Sequence, residues 1–371
     1  MQVYAKIANA MKEGPPQRRA GIRQIADALG ISIGSVDRAL HNRAGVSPRT
    51  RDRVLKMAQK LNYAPNLAAR NLKLNRHIRI GVFLPEQIAC FFNPLRAGIR
   101  SACRDATSAN IDLSFYSFPH LGEGDVECLE RNHWENFDGT IIAPGNPARL
   151  NGVLGVAESS RKPVVFVATD AHRLHRLSSV AVESSISGSI AAELLGQIIR
   201  EPRPVAVLTG DLKVQDHSEK LRGFAAGLAL HAPHLTLLPA IESHDSPEHA
   251  YRGTLNLLES NPALGGMYIS TANSISVIRA VEKSGRLGEI RIIATDLFPE
   301  LSQLIEAGQV FASLVQRPHR QGWLAFEILS QYLITGKVPR RNIRLAPHIA
   351  LKSNLILLSD SMAAEESTDP A

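Results

Sequence analysis

Cysteine is scarce in this chain. Cys90, Cys103 and Cys128 are the only three in 371 residues, an odd number without metal-type spacing, which argues against a disulfide framework and favours a reducing compartment. Long apolar runs are also missing. Nowhere do about 18 uninterrupted apolar residues occur, and the first dozen residues show no sustained apolar stretch and no secretory cleavage pattern. Export and membrane insertion are both disfavoured, and the expected location is the cytoplasm. Catalytic signatures are lacking too. Gly30-Ile-Ser-Ile-Gly34 has the spacing of a nucleophile elbow, but that motif needs a strand before the serine and the pattern there is helical. Gly122-Glu-Gly124 lacks the third glycine of a dinucleotide fingerprint. His172 with His175, and His231 with His234, are spaced i+3 without a Cys or HExxH context, so solvent-facing histidines are expected rather than zinc ligands. No enzyme activity, cofactor or metal is expected.

What is abundant is positive charge, and it sits at one end. Residues 1–76 hold 15 Lys+Arg against 4 Asp+Glu, a balance of +11, which leaves 27 against 31, or −4, for the rest of the chain. A cationic head on a mildly acidic body suits a polyanion bound at one end, because displaced phosphate counterions drive such binding. The length exceeds one ordinary core and favours a small domain plus one or two larger ones.

The head reads as short helices. Ile22, Ile25, Ala26 and Leu29 form one apolar face, and Gly30 follows at a C-cap position. Ser32 can cap a second helix with Val36, Ala39 and Leu40 inward and Ile33, Gly34, Asp37 and Arg38 outward. Two helices around a glycine turn make a helix-turn-helix. Ser47 and Pro48 start a third helix with Val54, Ala58 and Leu61 on its buried stripe. Beyond Pro65, Asn66 can cap a helix too short to stand alone. Arg70 and Lys73 flank Leu72 there, the combination expected of a helix that enters a minor groove and wedges base steps apart.

In order and spacing, four segments resemble the head and hinge of the LacI/GalR family of bacterial transcription regulators: Ile22–Ser32, Ser35–Leu40, Val46–Arg51 and Tyr63–Leu72. The resemblance implies that Ile33, Gly34 and Arg38 read bases in the major groove, with Ser35 and Asn42 also in contact with DNA. It implies that Leu72, between Arg70 and Lys73, kinks the operator centre. Arginine is the usual bidentate reader of guanine, so Arg38 is the foremost candidate. Asp37 replaces a serine common in the family and is expected to orient Arg38, while Gly21 replaces a threonine cap. Residues 1–18 have no counterpart in the usual family start, so they are expected to be an extra arm or the product of a misassigned start codon.

From Arg79 onward, apolar runs of four to seven residues alternate with helix-length amphipathic stretches, which is βαβ organisation. Residues 78–84, 111–116, 139–143 and 164–168 read as strands of one parallel sheet, and 205–209, 235–241, 266–270 and 291–294 as strands of another. The fold class expected is α/β: an all-α helix-turn-helix head with a hinge helix, then a two-lobed body of doubly wound parallel sheets. Ligands in such sheets bind beyond the carboxyl ends of the strands. Candidates there are Phe91, Phe92, Asn93, Pro144, Asn146, Thr169 and Asp170 in the first lobe, and Asp211, Asp216, His217, His244, Asp245, Asn273 and Asp296 in the second. Aromatic faces with amides and carboxylates are the chemistry of sugar recognition, although a polar residue after a strand more often caps the next helix.

Resemblance narrows this set. Asp296 matches the family's effector-binding aspartate, Asn273 its polar residue at the neighbouring strand end, Phe91 and Phe92 its covering aromatics, and Gln316 its crossover position, as a cleft residue or a hinge one. The segment from Asp216 and His217 to Phe224 looks like the branch whose sensor resembles ribose-type periplasmic binding proteins. The effector-binding set is thus Phe91, Phe92, Asn93, Asp216, His217, Asn273, Asp296 and Gln316. Domains are expected at 19–64 for the head and 65–77 for the hinge helix and linker. The body spans 78–358, with lobe 1 at 78–181 and 316–342 and lobe 2 at 182–315 and 343–358, where the resemblance places strands near 345–350 and 355–358; 359–371 form a disordered tail. The reading is a cytoplasmic, homodimeric repressor that binds pseudo-palindromic operator DNA under control of a small sugar or polyol. The rivals are a sugar-binding transport component and a sugar-processing enzyme.

Overall fold

The computed structural model describes residues 22–40, 43–61, 77–106, 110–160, 162–271 and 273–359. Two compact units divide between Leu74 and Asn75. The expected arm, hinge helix and tail lie outside the described residues, as do Asn42, Arg70, Leu72 and Lys73.

The head has three helices, α1 (Ile22–Leu29), α2 (Ile33–Leu40) and α3 (Pro48–Lys60). Gly30 adopts φ 64°, the left-handed turn that lets the Ile31 amide reach back to the Ala26 carbonyl at 3.1 Å and close α1. Ser32 Oγ accepts from the Ser35 amide at 3.1 Å, and Ser47 Oγ accepts from the Thr50 amide at 3.1 Å ahead of Pro48, so α2 and α3 each begin on a serine cap. Ile25, Ala26, Val36, Ala39, Val54 and Ala58 fill the centre, with Leu40 and Leu61 only partly covered at its rim.

The body opens with β1 (Ile78–Pro85), α4 (Ala89–Asp105), β2 (Ile111–Phe118), α5 (Asp125–Arg131), β3 (Gly139–Ile142), α6 (Pro147–Ser160), β4 (Val164–Val167) and β5 (Ser178–Val182). It crosses over into α7 (Ser184–Ile198), β6 (Pro204–Thr209), α8 (Gln215–His231), β7 (Thr236–Leu237), β8 (Ile241–Glu242), α9 (Pro247–Ser260), β9 (Gly266–Ile269), α10 (Ser274–Lys283), β10 (Arg291–Thr295), α11 (Pro299–Glu306) and β11 (Ala312–Val315). It returns through α12 (Pro318–Thr335) and β12 (Asn342–Leu345), then crosses again to β13 (His348–Ala350). The first sheet runs β12-β5-β4-β3-β1-β2, parallel throughout. The second runs β13-β11-β10-β9-β6-β7 with β8 also on β6, and only β13 is antiparallel. Central strands such as Val164–Val167 and Gly266–Ile269 are buried at every residue, as parallel strands covered by helices on both faces must be.

One glycine contact in each lobe fixes the helix layer. A Cβ on Gly98 of α4 would stand 2.0 Å from the His319 carbonyl oxygen of α12, and a Cβ on Gly188 of α7 would stand 2.0 Å from the Lys220 carbonyl oxygen of α8. Only glycine lets these backbones touch. The second contact matters for the cleft, because it sets α8 against the start of α7.

Four details differ from the sequence expectation. Strand β5 is an addition: its leading serines are buried because Ser178 Oγ donates to the Arg340 carbonyl and Ser179 Oγ to Asp170, which hides its polarity from an apolar-run criterion. The 235–241 run splits into β7 and β8, both paired with β6. The last crossover falls after Leu345 rather than at 342/343, since Asn342–Leu345 pairs with Ser179–Val182. The expected strand at 355–358 is a helical turn that buries Leu355 and leaves Ile356 and Leu357 exposed; an apolar tetrapeptide cannot distinguish the two by period.

Candidate functional site

On the head, α2 carries the outward residues. Ile33 is 50% exposed, Gly34 and Arg38 are exposed and Ser35 is half-buried, so the expected reading residues share the uncovered side of this helix. Asp37 accepts from Arg43 at 3.2 Å. That ion pair is with the arginine six residues on. With its carboxylate so engaged, the negative charge on this face is partly offset.

In the body, the carboxyl ends of the strands line a cleft with about 410 Å³ of empty space, the open mouth included. The first lobe supplies Ile88, Phe91, Phe92, Leu121, Ala168 and Thr169, and the second supplies Asp216, His217, Lys220, Asp245, Ser270, Thr271, Asp296 and Gln316. One wall is apolar and the other polar. The Phe91 and Phe92 rings meet edge-on at 5.0 Å, which locks both into a fixed apolar surface at the start of α4.

The polar wall is a continuous relay. Ser184 Oγ donates to Asp216 Oδ1 at 2.6 Å; Lys220 Nζ donates to Asp216 Oδ2 at 2.7 Å and to Gln316 Oε1 at 2.9 Å. Gln316 then returns two donors to Asp296, its Nε2 to Oδ2 at 2.8 Å and its amide to Oδ1 at 3.2 Å. Ser184 follows the first crossover between lobes and Gln316 sits on the second, so the relay joins two of the three segments that connect the lobes. Asp296 itself has φ 66°, a left-handed conformation that turns the chain sharply after β10.

Burial and charge set the electrostatics. Burial pushes the Asp296 carboxyl up to about 6; the Lys220 ammonium and the Gln316 donors pull against that rise, and Asp216 adds to it. For Lys220, burial alone would lower the pKa, but the Asp216 carboxylate at 2.7 Å outweighs it and the net direction is upward. Asp216 goes down despite its burial, held by Lys220, His217 and the Ser184 hydroxyl. Asp216 and Lys220 are therefore a charged pair, and Asp296 is the group that titrates near neutrality.

The lobes also meet across the mouth. The Asp216 amide donates to Thr169 Oγ1 at 3.1 Å, and the His172 amide donates to Gln215 Oε1 at 3.1 Å. The His172 ring lies between Asp170, 3.0 Å from Nδ1, and Glu219, 3.2 Å from Nε2, so it is a bridging side chain as well as a half-exposed one.

Six of the eight expected effector residues reach the wall: Phe91, Phe92, Asp216, His217, Asp296 and Gln316. Two do not. Asn93 is exposed one residue past Phe92, because a helix turns about 100° per residue, and it accepts weakly from Arg96 at 3.4 Å. Asn273 precedes α10, half-buried, with its Nδ2 lacking a partner. Asn146 accepts from the Arg149 amide at 3.3 Å, the capping role. Asp170 accepts from Arg176, Arg344, Ser179 and the Ala171 amide, which pins β4 to β5 and to the last crossover strand.

Lys220 went unnoticed in the sequence, although its i+4 spacing from Asp216 was a legible signal. Among the described residues, Asp211, Glu242 and His244 bring potential ligand atoms within 4.8 Å of one another. Two of the three are committed to their own loop, however: Asp211 accepts from the Lys213 amide and Glu242 from the Leu212 amide.

Residues 80–337 match the model of the periplasmic binding protein domain family, and residues 21–66 that of the bacterial regulatory proteins of the lacI family. Catabolite control protein A of Priestia megaterium is 23% identical over 332 residues, covering 88% of this chain and 96% of that protein. The ribose operon repressor of Haemophilus influenzae is 24% identical over 348 residues, covering 91% and 99%. A solute binding protein from Agrobacterium vitis, solved with alpha-D-tagatopyranose, superposes with a TM-score of 0.71 at 20% identity, covering 77% of this chain and 98% of that one. Among the described residues, no helix is long and apolar enough to cross a membrane.

Proposed function

The chain belongs to the periplasmic binding protein domain family and carries a head of the lacI family of bacterial regulatory proteins, and we propose that it is a transcription repressor, acting in the cytoplasm as a homodimer, whose hold on operator DNA is controlled by a sugar or polyol in the cleft. Relatives matched over nearly their whole length are transcription regulators, and the head has no role in a transport component. One observation carries the allosteric part: the polar wall that would meet the ligand runs from Ser184, beside one lobe crossover, to Gln316 on another.

The mechanism follows from that placement. Sugar hydroxyls compete for Asp296, Lys220 and Asp216 on the second lobe, while ring C–H faces lie on Phe91 and Phe92 of the first. A ligand held by both walls favours the closed arrangement. Rearranged donors at Gln316 and Ser184 then pass the change to the crossover strands. Effector and operator become coupled by about 1–3 kcal/mol, a magnitude general to allosteric pairs. On the head, Ile33, Gly34, Ser35 and Arg38 are assigned to the major groove, with Arg38 paired to a guanine edge. Asn42, Arg70, Leu72 and Lys73 complete the DNA-contacting set.

Purified full-length protein mixed with duplex from its own promoter region tests this. A specific complex that weakens with rising salt and with added sugar is expected. Equal affinity for promoter and scrambled duplex would remove the regulator reading. The same wall offers Asp216, His217 and Asp296 as acid or base, and turnover in a sugar screen would favour the enzyme reading instead.

A further inference from the structure

Resting on the sugar-effector reading, the charge balance of the cleft points to the kind of sugar. Among the described residues, the ionisable side chains on its walls are Asp216, Asp245, Asp296, Lys220 and His217, with no arginine. Lys220 is fully committed, its three donors facing Asp216, Gln316 and the Ser270 carbonyl. His217 is turned toward its own loop: its Nδ1 lies 3.0 Å from the Asp211 amide nitrogen and 3.1 Å from the Asp211 carbonyl oxygen.

Three carboxylates therefore face two cationic side chains at most, and the ammonium is already paired with Asp216. Asp296 spends both oxygens on the neutral donors of Gln316. Asp245 is less satisfied still: it is 1% exposed, Oδ1 accepts from Thr271 Oγ1 at 3.1 Å, and Oδ2 has no hydrogen-bond partner. Buried carboxylates of this kind require compensation by hydrogen bonds and by opposite charge. A sugar hydroxyl provides the bond without the charge. A phosphate or carboxylate on the ligand would add a further negative group to the same volume. An ammonium supplies both the donor and the missing charge.

We propose that the effector is an amino sugar or amino polyol whose protonated amine binds Asp245 Oδ2, with its carbon skeleton over Phe91 and Phe92.

Calorimetric titration of the full-length protein at neutral pH tests this with matched probes: glucosamine, galactosamine, mannosamine and amino polyols, each beside its hydroxyl parent and its N-acetyl derivative. Binding of at least one free amine about tenfold or more tighter than both its neutral counterparts is expected, a small part of the attraction between charges in contact at an effective dielectric of about 20, the rest being spent on desolvating the amine. In Asp245→Asn that ratio is expected to fall to about one, with the ligand-free melting temperature recording whether the fold is kept. Neutral sugars that bind as tightly as the amines overturn the proposal and leave the sugar-effector reading standing. A panel in which neither charged nor neutral members bind removes that reading and the proposal with it. An Asp245→Asn protein that keeps the amine preference overturns the assignment to Asp245.

Discussion

The exposed side of α2 and the polar wall of the cleft are the two candidate binding surfaces, yet they are built in opposite ways. Ile33, Gly34 and Arg38 face solvent on a small three-helix head, whereas Asp216, Lys220, Asp245 and Asp296 are buried and, apart from one oxygen of Asp245, hydrogen-bonded to their neighbours. Exposed cations cost the fold nothing and become ordered on DNA. Buried charges must be satisfied before a ligand arrives, so their arrangement is part of the stability of the fold. Function and stability are therefore separable in the head and inseparable in the cleft.

The largest expected effect breaks the relay. Lys220→Ala leaves Asp216 buried without its cation and should destabilise the body by about 3–5 kcal/mol, the usual penalty for removing one partner of a buried pair. Chemical denaturation of the variant against wild type measures it, and a loss below roughly 1 kcal/mol, the value of an exposed pair, would show that the wall is not preorganised.

Asp296→Asn should act in the other direction. With its carboxyl raised from 3.8 to about 6 by burial, the native state binds this proton more tightly than the unfolded chain. Asp296 then contributes stability below about pH 4 that is lost as pH rises to about 6, on the order of 3 kcal/mol. The asparagine variant should be more stable than wild type at pH 7 without ligand, and the difference should vanish as pH approaches 4. It should also lose its response to the effector. Melting curves across pH 4–8 check the first point and operator binding with sugar checks the second; a stability difference independent of pH would contradict the buried-carboxylate account.

Arg38→Ala sharpens the comparison from the side of the head. Melting should change by no more than about 0.5 kcal/mol, while discrimination between operator and scrambled duplex falls by about 1–3 kcal/mol and effector binding is unchanged. Smallest is Ser47→Ala, which removes the acceptor for the Thr50 amide and should cost the head about 1 kcal/mol. Amide exchange in α3 should accelerate without any change in the body.

Much of this organisation could be read along the chain. Gly30, Ser32, Ser47 and Pro48 mark helix ends through bonds to residues at most five positions away, and strands such as Val164–Val167 announce themselves as apolar runs. The aromatic and aspartate ends of the cleft also came through, because strand ends in a doubly wound fold are where ligands go. Asn93 fell outside the wall because its neighbours Phe91 and Phe92 took the inward directions of α4. Strand β5 was hidden by serines whose partners, Arg340 and Asp170, are far away in sequence or beyond the strand.

The sequence by itself determined the division into a basic head and an acidic body, the helix ends of the head and the alternation that builds two parallel sheets, since caps, periodicity and charge act over a few residues. Only the tertiary structure decided that Lys220 spans from Asp216, four residues away, to Gln316, 96 residues away. It also decided that Asp170 is tied to arginines while Asp245 keeps a bare oxygen, and that Asp296 sits at the edge of ionisation. Those outcomes depend on desolvation and on which strand ends converge, and neither is a property of any short stretch of chain.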